Sequence, residues 1–132
     1  MPNQATSSWR FHPGFFLALT LLLGVLIACS RSSNNCSATL NYDGKTYTGA
    51  GKSQDDAEHF ACNKYCREDD PEYDAMYRIW LDSAAGRAAG RPSKEEAIFK
   101  EKRLMDYVTV TCANKCVGWA KDGKAKIETK CG

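Results

Sequence analysis

Histidine is nearly missing from this chain: His12 and His59 are the two. A Cys–His nucleophile is therefore confined to His59, three residues before Cys62, and a wider hydrolytic set lacks parts. Excess charge of either sign is also absent, with 18 basic against 16 acidic side chains. That balance gives no sign of a long-range field that would draw in nucleic acid. Gly51-Lys52-Ser53 matches the end of a phosphate-binding loop, but Thr46 stands where its first glycine belongs. No pair of cysteines has the two-residue spacing of a thioredoxin-like redox site. Past Ala28 there is no uncharged apolar run of membrane-spanning length.

One apolar run stands near the start. Phe15–Ala28 reads FFLALTLLLGVLIA, without a charge. It is too short to cross a bilayer comfortably and suits the core of a secretory signal, with Arg10, His12 and the terminal amine before it. Its exit, Leu26-Ile27-Ala28-Cys29, resembles the lipobox of bacterial lipoproteins: an aliphatic residue, a tolerant position, a small residue and a cysteine. The resemblance covers the leader and Cys29 only. It implies a thiol that takes up diacylglycerol, cleavage before Cys29, and an anchor of palmitate-type acyl chains in the membrane. Residues 1–28 are then a signal peptide and 29–35 a lipidated cysteine with a polar tether. Residues 36–132 form one globular domain. Ser30, where such lipoproteins carry an aspartate as an inner-membrane retention mark, points to the outer membrane in an organism that has one.

The seven cysteines support that division. Assigning Cys29 to lipid leaves Cys36, Cys62, Cys66, Cys112, Cys116 and Cys131, an even set suited to three disulfides in an exported domain. Cys62-x3-Cys66 and Cys112-x3-Cys116 share a spacing that places each pair on one helix face. Two such faces opposed make two cross-links, with Cys36 and Cys131 joining the ends. The rival use of four thiolates, a zinc site, has loose spacing and the wrong redox compartment. No cofactor is expected.

The pattern along the chain predicts an α+β domain, with two terminal β-hairpin regions and about three helices between. Ser37–Asn41 and Lys45–Thr48 flank the hairpin signal Asp43-Gly44. Gly49-Ala50-Gly51 reads as a sharp turn, after which Ser53 caps a helix with the stripe Ala57, Phe60, Ala61 and Tyr65. Asp70-Pro71 opens a second helix, whose face Tyr73, Met76, Tyr77 and Trp80 suits core packing better than a ligand platform. Ser83–Pro92, with Ala-Ala-Gly-Arg in tandem, reads as a flexible loop. Ser93 and Glu96 open a third helix running to about Met105. Tyr107–Thr111 alternates and is β-branched, so it reads as a strand. Val117–Lys121 and Lys124–Thr129 around Asp122-Gly123 read as a second hairpin.

Two further patterns invite function. Gly49, Gly51 and Ser53 followed by Ala57, Ala61 and Cys62 resemble the later half of a double-stranded RNA-binding domain. Gln54, Asp55 and Glu58 stand where that family sets its lysines and would repel phosphate, so no nucleic-acid partner is expected. Glu68–Glu72 with Asp74 is a dense carboxylate run without calcium-loop spacing, and reads as a solvated helix start. The expected function is a membrane-anchored binding or structural module of the cell envelope. Its expected partners are the lipid membrane through acylated Cys29 and an envelope protein. The alternative is an envelope enzyme or enzyme inhibitor acting through surface carboxylates or the 83–92 loop.

Overall fold

A computed structural model describes residues Asn35–Gly132; the leader, Cys29, Ser30 and the tether as far as Asn34 lie outside the described residues. The fold is α+β, with strands at both ends of the described chain and helices between. Strand β1 (Cys36–Tyr42) turns through Asp43-Gly44 into β2 (Lys45–Gly51). Both turn residues have positive φ, +49° and +74°, as a tight two-residue hairpin requires. The third strand, β3 (Lys126–Cys131), pairs with the other side of β1, so the antiparallel order is β2-β1-β3. Cys36 and Cys131 are register partners and are bonded to each other.

Helix α1 (Gln54–Glu68) covers one sheet face, its first turn capped by the Ser53 side chain on the Asp56 N–H. The approach is close. A Cβ on Gly49 would collide with the backbone of Ala57 and Ala61, both fully buried. Gly49-Ala50-Gly51 is thus the end of a strand pressed against a helix, not the sharp turn its composition suggests. Leu40, Tyr47 and Tyr65 fill the layer between. Tyr65 meets Tyr42, Tyr47 and Trp119 edge-on, with ring centroids 5.3, 5.4 and 5.6 Å away.

The middle of the chain wraps this layer. Helix α2 (Pro71–Asp82) buries Tyr73 and Trp80, as its periodicity predicts. Ser83–Pro92 is no simple loop: Ala84–Ala88 forms a short helix, α3, capped by Ser83. Arg91 beyond it pairs with Asp82, and the Tyr77 hydroxyl donates to the Pro92 carbonyl. The helix opened by the Ser93–Glu96 capping box ends early, as α4 (Lys94–Ala97). Glu101 caps a fresh start, α5 (Lys102–Asp106).

Two expected strand regions are helical. Tyr107–Cys112 is a π-helical segment running into α6 (Ala113–Lys121). Tyr107, Val108 and Cys112 are its buried residues, and Cys112 bonds to Cys66 on α1. That cross-link, with Cys116 to Cys62, holds the segment along α1 and overrides the β preference of its valines and threonines. Thr109 Oγ donates to the Met105 carbonyl four residues back, a bond that suits a widened turn. Val117–Lys121 is the end of α6, so the second hairpin is not formed and only its later half is a strand. Among the described residues no helix is long and apolar enough to cross a membrane.

A candidate binding groove

The six cysteines of the described domain are joined as Cys36–Cys131, Cys62–Cys116 and Cys66–Cys112. The two i, i+4 pairs face each other antiparallel, with Cα separations of 5.7 and 6.0 Å. Each bridge stabilises the fold by about 2–4 kcal/mol. These residues are structural, and Cys62 offers no thiol to His59, whose Nε2 lies 3.2 Å from the Thr109 carbonyl.

The carboxylate run is spent on structure as well. Asp70 is buried rather than solvated. Its Oδ2 accepts the Tyr73 N–H at 2.8 Å and the Tyr107 hydroxyl at 2.9 Å. Asp69 accepts from Lys45 and, at 2.7 Å, from the Tyr47 hydroxyl. The Lys45 ammonium first, then the Tyr47 hydroxyl, hold the Asp69 carboxyl below its usual range. Asp74 is held low in the same way, by Lys94 first and Arg78 after it. Burial, reinforced by the Asp69 and Asp70 carboxylates, pushes the hydroxyls of Tyr47 and Tyr107 well above the ordinary tyrosine value. Among the described residues no three His, Cys, Asp or Glu side chains converge as a metal site would need.

Unsatisfied surface gathers elsewhere. A groove of about 390 Å3 runs between Thr48–Ala50 of β2, one flank of α1, and the chain from α4 to the π-helical segment. Phe60, Phe99 and Met105 line it while 52%, 78% and 39% exposed. They are three of the five exposed large apolar side chains among the described residues, the others being Ile79 and Val110. Ile98 and Val108 form the buried part of the wall. Apolar side chains gathered at one place mark an interaction surface more than single scattered ones do.

The α1 flank adds polar groups. Asn63 Oδ1 and Arg67 Nε are buried and lack a hydrogen-bond partner among the described residues. Such groups are rare in folded proteins, because each forfeits its hydration without replacement. Lys64 lies between them, and neither Lys64 nor Arg67 forms an ion pair with a described carboxylate. The groove thus combines an apolar rim, a cationic flank, and one buried donor and one buried acceptor without partners. The π-helical segment supplies Val108 and Thr109 to it, and such segments often lie at functional sites.

Sequence reasoning missed this site. It assigned Phe60 to the core stripe, whereas the helix buries Ala57, Ala61, Cys62, Tyr65 and Cys66 and turns Phe60 outward. The readable signal was Phe60, Asn63, Lys64 and Arg67 at i, i+3, i+4 and i+7, a complete second face on the same helix. A smaller apolar cup of about 370 Å3 lies between α2 and α5, lined by Met76, Ile79, Trp80 and Leu104. The Trp80 indole N–H there is also unpartnered. Comparison of the chain with protein-family models, curated proteins and solved structures finds no match.

Proposed function

We propose that this chain is a lipid-anchored binding module of a bacterial cell envelope, tethered through acylated Cys29 and holding a partner in the groove beside β2. The anchor is supported by Leu26-Ile27-Ala28-Cys29 at the end of an apolar run. It is supported also by the cysteine pairing: the six cysteines among the described residues are bonded to one another, which leaves Cys29 as the odd one of the seven in the sequence. Ser30 after it favours the outer membrane, where there is one. The binding role rests on a single observation, the exposed Phe60–Phe99–Met105 rim above the unpartnered Asn63 and Arg67 polar atoms.

Site-directed photo-crosslinking in intact cells tests it. A photoreactive residue at position 99 is expected to give a discrete adduct with one envelope component. The same residue at position 110, where Val110 is 55% exposed but outside the groove lining, is expected to give none. Equal labelling from both positions, or none from position 99, would count against the groove as the binding site.

A further inference from the structure

The groove has a property that an apolar patch lacks: one of its walls is a strand edge. β2 pairs with β1 on one side only. The two-residue turn places Tyr42 opposite Lys45, and the register continues through Leu40–Tyr47 and Ala38–Gly49. In such a hairpin these pairs exchange the ladder hydrogen bonds. The N–H and C=O groups of Thr46, Thr48 and Ala50 therefore point away from β1.

Exposed edges are usually guarded by charge. The other edge strand, β3, follows that rule with Lys126, Glu128 and Lys130, the first two paired at 2.6 Å. β2 carries no charge from Thr46 to Gly51. Instead, the Thr48–Ala50 stretch opens onto the groove, over the α1 flank that carries Phe60, Asn63, Lys64 and Arg67. A strand added there would extend the sheet as a fourth member.

From this we infer that the partner enters as an extended, acidic peptide segment that pairs with the β2 edge. The inference rests on the groove being the binding site. The segment's backbone bonds to the outward groups of Thr48 and Ala50, the mode of strand addition. Side chains on its inner face alternate, so an apolar one packs on Phe60 and Phe99 while an acidic one reaches Lys64 and Arg67. Small shifts of the Arg67 and Asn63 side chains bring Nε to the segment's carboxylate or a carbonyl and Oδ1 to one of its amide N–H groups. Both orphaned groups are then satisfied, and the cationic flank gains the counter-charge it lacks.

The test uses the full acylated chain in detergent micelles and a displayed library of random peptides of about six residues, a common strand length. Enriched peptides are expected to alternate apolar residues with Asp or Glu. Their affinity is expected to fall about tenfold or more against a K64Q/R67Q double variant, as losing a charge-assisted hydrogen bond implies. Methylating alternate peptide amides blocks strand pairing without touching the protein, and is expected to abolish binding in one of the two registers only. Enrichment of basic peptides, or binding indifferent to amide methylation in both registers, would overturn strand addition. So would self-association of the chain through this edge, abolished by T48P. An adduct at position 99 without methylation-sensitive peptides leaves the binding module standing and removes only the strand; loss of both removes the site.

Discussion

Asp70 Oδ2 accepts the Tyr73 backbone N–H at 2.8 Å and the Tyr107 hydroxyl at 2.9 Å, so one buried carboxylate both caps α2 and ties it to the π-helical segment. Removing it cancels two interactions at once. Asp70→Ala is expected to destabilise the domain by about 3 kcal/mol, from a cap of about 1 and a hydrogen bond to a charged group of about 2. Tyr107→Phe, which spares the cap, is expected to cost about 1–2 kcal/mol. Urea titrations with unchanged slope and shifted midpoint measure both. Equal losses for the two variants would show that the cap contributes nothing.

The anchor and the fold are expected to be separable. Cys29→Ser is expected to leave the melting temperature of the domain unchanged and to yield a chain without added acyl mass that keeps its apolar leader. Intact-mass analysis of the wild-type chain extracted from membranes is expected to show a species beginning at Cys29 with added acyl mass. Reduction then adds two hydrogens for each of the three bridges. An unacylated chain keeping residues 1–28 would overturn the lipid anchor, and a disulfide map joining Cys62 to Cys36 or Cys131 would overturn the pairing.

Acid is expected to weaken the fold through Asp69. Its folded-state carboxyl lies below the ordinary 3.8, held there by Lys45 and then Tyr47. Below that ordinary value the unfolded chain takes up a proton the folded chain refuses. The stabilisation is therefore complete above the unfolded value and lost as pH falls through the folded one. Asp69→Asn is expected to flatten this part of the acid limb. At the other extreme, burial pushes Tyr65 and Tyr73 up to about 12 from an ordinary 10.0. Their contribution is present below 10 and is lost as pH rises toward 12. Phenolate absorbance from these buried rings is expected to appear together with loss of helical circular dichroism, not before it.

Much of the fold is legible in the sequence because local chemistry and tertiary packing agree there. Asp43-Gly44, the Ser53, Asp70 and Ser93 caps, and the Tyr73–Trp80 face all act where their patterns place them. The pattern misleads where long-range bonds decide. Tyr107–Thr111 has strand composition, but the Cys66–Cys112 bridge and the Tyr107–Asp70 bond fasten it beside α1 as helix. Ile98 and Phe99 read as the interior of one helix, yet Glu101 restarts the chain and leaves Phe99 exposed. The groove was hidden for that reason, since half its wall depends on where those short helices stop.

Gly49 offers a sharp check on the close α1–β2 contact. A methyl group there meets backbone atoms of Ala57, Phe60 and Ala61, not a flexible side chain, so relief requires moving the helix. Gly49→Ala is expected to cost about 3 kcal/mol or more, the upper range of overpacking. Gly118→Ala, where the added carbon has open space, is expected to be neutral or slightly stabilising on helix propensity. Thermal melts of the pair distinguish collision from loss of glycine itself.

The last prediction separates stability from binding at the groove. Asn63 Oδ1 is buried without a partner, a state that costs about 1–3 kcal/mol against a satisfied or absent group. A residue selected for the fold alone would not keep it. Asn63→Leu is similar in size and removes the orphaned oxygen, so it is expected to raise stability by about 1 kcal/mol. The same change removes an acceptor from the groove and is expected to weaken the position-99 adduct. Phe99→Asp, at a side chain 78% exposed, is expected to leave the melt within about 0.5 kcal/mol of wild type while abolishing the adduct formed by a photoreactive residue placed at position 60 of the same groove. A destabilised Asn63→Leu chain would mean that the oxygen has a structural partner after all. A stable variant with undiminished crosslinking would mean that the partner does not use it.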